Sequence, residues 1–241
     1  YVYFFELLPL AKSNKDCMIY NFANGFVTNG HKVTVCASEE YRPLEPETNP
    51  FEVVYFKSRL PKLCKPYLIP YPVGLRKYVQ ENIAKYDLVI ASEVFQMATL
   101  LIADICKGKL VIWQELSLHN KMMFKLPSKI WYNCVVSCTS LKNALVVARS
   151  ENAKQFIKQY CRNVSDEIVE HGANGELLKP KEHAGRNFSI VGQLIARKNI
   201  NAIIEKFAKF VKKKVFPTKC LNGSSKIKIV MKRFKIGLIN L

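Results

Sequence analysis

The last part of the sequence lacks acidic residues. From residue 206 to residue 241 there are eleven lysines and arginines and no aspartate or glutamate. These cations supply eleven of the formal net charge of +18, so residues 1–205 carry +7 (18 − 11). Aromatic side chains that could stack on bases are nearly absent from residues 220–241. The charge therefore gives little support to a nucleic-acid partner, although a basic nucleic-acid-binding α/β protein stays open as an alternative.

The sequence also lacks the close cysteine pairing that marks zinc sites or redox motifs, long apolar runs and an initiating methionine. Without close pairing, the eight cysteines do not form the motifs of zinc sites or thiol oxidoreductases, so we expect reduced thiols and a cytoplasmic protein. No run approaches the ~20 apolar residues of a transmembrane helix, and no secretory signal is recognisable. Because the chain opens directly in an apolar run, we interpret it as a fragment at its start.

What the sequence does contain is a regular alternation of strand and helix patterns. Hydrophobic residues make up 49% of the chain, which is enough for an ordinary core. Apolar runs between turn residues predict strands over residues 1–8, 32–37, 51–56, 87–91, 109–113, 144–148 and 167–170. Helical spacing predicts a helix capped by Asp16 and stopped at Asn29-Gly30, and further helices over residues 73–85, 94–106, 128–141, 151–161 and 200–211. The alternation predicts an α/β protein with a doubly wound parallel sheet.

In a doubly wound sheet, ligands bind beside the carboxyl ends of the strands. The loop after residue 113 should therefore face a cleft, and it contains Gln114, Glu115 and His119, whose polar groups could contact a ligand. For Ser150 and Glu151, which begin a helix at another strand end, N-capping explains both residues. The proline-rich segment 59–72 is interpreted as an irregular loop at the surface or the cleft edge.

A second unit of strand, loop and helix has the sequence NFSIVGQLIARKN. Its apolar run predicts a short buried strand that ends at Gly192, and a helix follows the loop. The backbone N–H groups of such a turn, the positive end of the helix dipole, Arg197 and Lys198 would favour a diphosphate. The polar segment 179–186 before this unit predicts a domain boundary.

Five segments in this order resemble retaining glycosyltransferases of the GT-B fold, in particular the family 4 group (glycosyl transferases group 1) that builds bacterial surface polysaccharides. They are FANGFVTNGHKVTVCAS, YDLVIAS, LVVARSENAKQFI, VEHGANGELLKP and SIVGQLIARKNI, and they span most of residues 16–210. The resemblance implies a Rossmann-like acceptor-side domain over residues 1–180 and an incomplete nucleotide-sugar-binding domain, also Rossmann-like, over residues 181–214. Residues 215–241 are then a basic tail of doubtful fold.

The resemblance implies an enzyme of the hexosyltransferase type, which transfers a sugar from a UDP- or GDP-linked donor to a glycan or lipid-linked acceptor with retention at the anomeric carbon. Gly192 and Lys198 match the family's donor-diphosphate motif, whereas Gln193 stands where arginine is usual and Arg197 could compensate for the missing charge. A histidine of the first domain often lies near the reacting centre in this family, which makes His119 a catalytic candidate together with Glu115. No metal or other cofactor is expected.

The resemblance also implies peripheral contact with the inner face of the membrane, for which the 59–72 loop is one candidate. The family's two glutamates, seven residues apart in the second domain, have no counterpart here, because no glutamate follows Glu205. We therefore expect a truncated chain with impaired activity. An inactive glycosyltransferase-like binding domain remains the alternative.

Overall fold

Seven parallel strands form the central sheet of the first compact unit of the chain, Tyr1–Leu178. The structure is a computed structural model that describes residues 2–5, 17–59, 71–119, 125–170 and 199–213. The strands are β1 (Val2–Phe5), β2 (Val33–Ser38), β3 (Glu52–Phe56), β4 (Ser58–Arg59), β5 (Tyr71–Pro72), β6 (Leu88–Ser92), β7 (Leu110–Gln114), β8 (Leu145–Ala148) and β9 (Val164–Ile168). Strands β4 and β5 form a separate antiparallel pair.

The order of strands across the main sheet is β3-β2-β1-β6-β7-β8-β9, and every neighbouring pair is parallel. The chain builds the sheet outward from β1 to one edge and then from β6 to the other edge. This is the doubly wound arrangement, in which the ligand crevice lies at the carboxyl ends of the strands near the reversal. The predicted α/β class and parallel sheet are confirmed.

The described helices follow the predicted alternation with strands. They are α1 (Met18–Thr28), α2 (Leu75–Asn82), α3 (Met97–Ala103), α4 (Lys125–Ile130), α5 (Val136–Cys138), α6 (Glu151–Ile157) and α7 (Ile200–Lys213). A π-helical turn, Trp131–Val135, joins α4 to α5 without a break. Helix α7 belongs to the second compact unit, Lys179–Leu241. The predicted domain boundary near residue 180 lies outside the described residues and stays a prediction, as do the strand before Gly192 and the tail.

Three local predictions differ from the structure. Helix α1 has Cys17 rather than Asp16 at its N-cap position, and the Cys17 side chain makes no capping hydrogen bond. The last predicted strand begins earlier than expected, because β9 pairs with β8 from Val164 onward. The polar residues of β9 are mostly exposed, so its sequence lacks the apolar run of a buried strand. The ends of the predicted irregular loop 59–72 are held as strand, because Arg59 pairs with Tyr71.

The inner strands are buried on both faces because alternate residues reach two different hydrophobic clusters. In β2, Val35 and Ala37 pack in the same cluster as Tyr20 of α1. Cys36, which lies between them, belongs to the opposite cluster, together with Ile112 of β7. Burial on both sides fixes the register of the sheet, and with it the positions of the loops at its carboxyl edge.

Within the described part of the chain, no helix combines the length and the apolar character that a membrane crossing requires.

We expect Ile112→Ala to lower the free energy of unfolding by about 2–5 kcal/mol, because the side chain is fully buried and its removal leaves a cavity. Urea denaturation followed by circular dichroism measures this change. Leu44→Ala is the control, because Leu44 is 77% exposed and its truncation should cost less than about 0.5 kcal/mol. Equal losses in the two variants would contradict this account of the core.

Candidate functional site

In the half of the sheet from β6 to β9, the carboxyl edge carries four charged residues, each directly after a strand or within two residues of its end. Glu93 follows β6, Glu115 follows β7, Arg149 follows β8, and Glu170 lies two residues beyond β9. Gln114 of β7 pairs with Ala148 of β8. The next residues along the two strands, Glu115 and Arg149, therefore lie side by side. The topology therefore gathers these charges from parts of the sequence that are far apart.

Arg149 and Glu115 form an ion pair at this edge. The distance from Arg149 Nη1 to Glu115 Oε1 is 2.5 Å, and the exposed fractions of the two side chains are 25% and 58%. The backbone N–H of Arg149 donates to the carbonyl of Gln114 at 2.9 Å, which continues the pairing of the two strands by one residue. The half-buried guanidinium is thus held in place, while the carboxylate of Glu115 keeps much of its surface open to solvent.

A cavity of about 430 Å³ opens beside this ion pair. The described residues that line it are Glu115, Arg149, Ser150 and Glu170. Its volume lies within the usual range for small-molecule sites, and its lining offers carboxylate acceptors, guanidinium donors and a hydroxyl group. Such a lining suits a ligand rich in hydroxyl groups.

Ser150 makes the contact that N-capping predicts, whereas Glu151 contacts side chains of its own helix. Ser150 Oγ accepts a hydrogen bond from the backbone N–H of Ala153 at 3.2 Å, so the capping role of Ser150 is confirmed. Glu151 lies in the first turn of α6, where hydrogen bonds from Gln155 and from Lys154 hold the pKa of its carboxyl below the usual value.

The buried carboxylate of Glu93 holds the loop after β7 in place. Glu93 Oε1 accepts hydrogen bonds from the backbone N–H groups of Glu115 and Leu116, at 2.7 and 2.9 Å. Only 9% of the residue is exposed, and its φ of 64° lies in the left-handed region, which side-chain-bearing residues seldom adopt. Contacts with the surrounding residues therefore hold Glu93 in a backbone conformation that it would otherwise seldom adopt.

Gln114 is part of the core and does not face a cleft. Its side chain has no exposed surface. Its Oε1 accepts from the N–H of Val94 at 3.1 Å, and its Nε2 donates to the carbonyl of Leu116 at 3.0 Å and to the hydroxyl of Tyr132 at 3.3 Å. The interpretation of Gln114 as a ligand contact is therefore corrected, because neighbouring protein groups use both ends of the amide.

His119 lies in an aromatic cluster, and it is not one of the described residues that line the cavity. Its Nδ1 is 3.2 Å from Ser128 Oγ, and its Nε2 is 3.0 Å from the hydroxyl of Tyr160. The ring meets those of Tyr132, Phe156 and Tyr160 edge to face, at centroid distances of 5.2–5.8 Å. The histidine thus joins its loop to α4 and to the turn after α6, and its catalytic role stays a prediction.

The four predicted donor-site residues, Gly192, Gln193, Arg197 and Lys198, lie outside the described residues. Among those that are described, no group of three or more histidine, cysteine, aspartate or glutamate side chains is placed to hold a metal ion.

The sequence alone does not single out Arg149, Glu170 or Glu93. A signal for Arg149 and Glu93 was nevertheless present, because each lies within two residues of the end of a predicted strand, where the loops of a parallel sheet converge. Glu170 was hidden because the last strand was predicted to extend through it.

We expect His119 to contribute to the pH dependence of stability. Burial, and next the charge of Lys129, hold the pKa of its imidazole below the ordinary value of about 6.5. The unfolded chain therefore binds more protons than the folded chain as the pH falls through that value, so the free energy of unfolding decreases from about pH 7 to pH 5. His119→Gln should flatten this decrease in urea titrations at several pH values. His31→Gln, which replaces an exposed histidine, is the control, and an unchanged slope in His119→Gln would contradict the prediction.

The solved structure of a glycosyltransferase from Rickettsia africae ESF-5 is similar to this chain, with a TM-score of 0.44 and 21% sequence identity. The similarity covers 73% of this chain and 44% of that chain, so this chain spans less than half the length of the neighbour. No protein-family model matches the sequence, and no curated protein matches it.

Proposed function

We propose that the chain belongs to a retaining glycosyltransferase that moves a sugar from a nucleotide diphosphate sugar to a hydroxyl group of a glycan or a lipid-linked acceptor. The observation that carries the proposal is the cavity beside Arg149 and Glu115, at the carboxyl edge of a doubly wound sheet. That edge is where such sheets bind their ligands. The five family-like sequence segments supply the reaction class.

The cavity is the proposed acceptor site. A sugar hydroxyl both donates and accepts hydrogen bonds, and the pair of Glu115 and Arg149 offers an acceptor and a donor 2.5 Å apart. Glu170 adds a second carboxylate to the same lining. A ligand that enters would replace the solvent around the exposed carboxylate of Glu115, while Arg149 keeps its backbone hydrogen bond to the neighbouring strand.

The donor diphosphate is proposed to bind at Gly192, Gln193, Arg197 and Lys198. In the reaction the bond between the anomeric carbon and the diphosphate oxygen breaks, the acceptor oxygen bonds to the same carbon, and the acceptor proton leaves. The departing diphosphate gains negative charge, so cations and oriented N–H groups near it stabilise the transition state. Lys198 and the helix that follows it are the proposed source of this stabilisation.

His119 could take part directly only if one of its two hydrogen bonds opened, because hydroxyl groups contact both ring nitrogens. We therefore propose that His119 acts first by holding the loop of Glu115. It lies four residues after Glu115, whose backbone N–H donates to Glu93. Within this proposal the protein works at the cytoplasmic side of the membrane, in the synthesis of a surface polysaccharide.

Lys198→Ala should weaken the binding of UDP or GDP by about tenfold or more, because it removes a charge-assisted contact to the diphosphate. Isothermal titration calorimetry with UDP, GDP and their sugar conjugates measures the change. Lys209→Ala is the control, since Lys209 is an exposed lysine of α7. Binding that is equal in both variants, or absent from the wild type, would count against the donor site.

Glu115→Gln and Arg149→Ala should lower the rate of sugar transfer by at least about tenfold, with little change in thermal stability, because both residues border the cavity. Transfer from radiolabelled UDP- or GDP-sugars to lipid-linked acceptors measures the rate. The matched control is Arg76→Ala with Asp104→Asn, which breaks a similar ion pair of 2.7 Å away from the cavity lining. If acceptors bind but no sugar moves, the chain is an inactive binding domain; if the control variants lose as much activity, the cavity is not the acceptor site.

A further inference from the structure

Two exposed cysteines lie on the helical segment that α4, the π-helical turn and α5 form. Cys134 and Cys138 are both exposed and neither forms a disulfide, whereas Cys36, Cys106 and Cys161 are buried. Cysteine is among the residue types that proteins bury most often, so two exposed thiols close together are unusual. We propose that Cys134 and Cys138 together form a binding site for a soft cation, copper(I). The proposal does not rest on the proposed sugar transfer.

The backbone of this segment places the two thiols side by side. Trp131 and Val136 are buried against the core, whereas the two cysteines are exposed. Val135 and Val136, which lie between the cysteines, have helical backbone angles, with φ −65°, ψ −48° and φ −60°, ψ −44°. Residues four apart on a helix are neighbours, with their Cβ atoms about 5–6 Å apart. Cys134 and Cys138 therefore present neighbouring thiols to the solvent.

Contacts on the buried side hold this segment in place. The indole N–H of Trp131 donates to the carbonyl of Val94 at 2.9 Å. The ring of Tyr132 meets that of Phe156 edge to face, at a centroid distance of 5.0 Å. The two thiols are therefore attached to a backbone that need not rearrange when a ligand binds, and a site that is formed in advance loses less entropy on binding.

The spacing of the thiols suits a bridging ion better than a disulfide. A disulfide needs Cβ atoms about 3.5–4.5 Å apart, so closing one here would draw the two side chains together by about 1–2 Å and strain the helix. Two metal–sulfur bonds of about 2.3 Å each can hold sulfur atoms up to about 4.6 Å apart. Neighbouring positions on a helix allow that span without a change of the backbone.

The number of thiols selects the ion. Thiolates are soft ligands that favour copper(I) and zinc. Zinc in structural sites has four protein ligands. In the described part of the chain, no histidine, cysteine, aspartate or glutamate side chains form a group of three or more that could hold a metal. Copper(I) needs only two thiolates, which it binds in a linear arrangement.

The charge around the pair favours this complex. Each thiol releases its proton as its sulfur bonds to copper(I), so one ion with two thiolates carries one net negative charge. From Leu116 to Ser150 the sequence has no aspartate or glutamate. The nearest charged residues along the chain, Lys129 and Lys142, are both cations and attract the anionic complex.

The test is competition for copper(I) between the whole chain and a chromophoric copper(I) chelator, bathocuproine disulfonate, in the absence of oxygen. The absorbance of the chelator complex measures how much copper(I) the protein takes. Cys134→Ser and Cys138→Ser should each weaken the tightest binding by about a hundredfold or more, because the second sulfur no longer binds within the same molecule. Both positions are exposed, so circular dichroism should show the same fold in the variants as in the wild type.

Two controls separate this pair from the other thiols of the chain. Cys17→Ser removes a partly exposed cysteine outside the pair and should leave the affinity for copper(I) unchanged. Cys134→Ser with Ser137→Cys keeps two cysteines at exposed positions, but adjacent residues do not face each other on a helix. This double variant should therefore bind copper(I) as weakly as the single variants.

Three outcomes would overturn the proposal. The first is an affinity for copper(I) that is equal in the wild type and in the variants of the pair. The second is a disulfide between Cys134 and Cys138 that forms readily with oxidised glutathione, as seen by mass spectrometry. The third is a zinc-dependent dimer, in analytical ultracentrifugation, that either serine variant abolishes, because four thiolates from two copies would then hold the ion.

Discussion

The carboxylate of Glu93 is the contact on which the carboxyl edge of the sheet depends. It lies at the end of β6 and accepts two backbone N–H groups from the start of the loop after β7, so one buried side chain joins two neighbouring strand ends. A buried carboxylate needs such donors, because desolvation would otherwise disfavour its charge. The left-handed backbone at Glu93 places the side chain where these donors are, and Glu115 is thereby directed toward Arg149.

The segment after β7 is held at two places. Glu93 accepts the backbone N–H groups of Glu115 and Leu116, and His119, four residues after Glu115, contacts Ser128 and Tyr160. Glu115, which borders the cavity, therefore lies in a segment that contacts within the protein hold on both sides.

The sequence predicted the strands and helices of the first unit well, because residues such as Val35 and Ile112 lie in short apolar runs that are typical of buried strands. It did not predict the partner of Glu115. Arg149 becomes its neighbour only through the pairing of Gln114 with Ala148, and the alignment of two strands 34 residues apart is a tertiary property. The ligand contact predicted for His119 stays a prediction. The surroundings of His119 are equally nonlocal, because Tyr132 of the π-helical turn, Phe156 of α6 and Tyr160 after α6 all contact its ring.

The two tryptophans of the chain both lie at this edge, and each is 8% exposed. The indole N–H of Trp113 donates to the carbonyl of Val169, beside the cavity residue Glu170, and that of Trp131 donates to the carbonyl of Val94, next to Glu93. The protein's tryptophan fluorescence therefore originates within a few residues of the proposed acceptor site. When tryptophan is excited selectively, its emission reports on this edge, so the wild-type chain carries its own optical probe and needs no attached label.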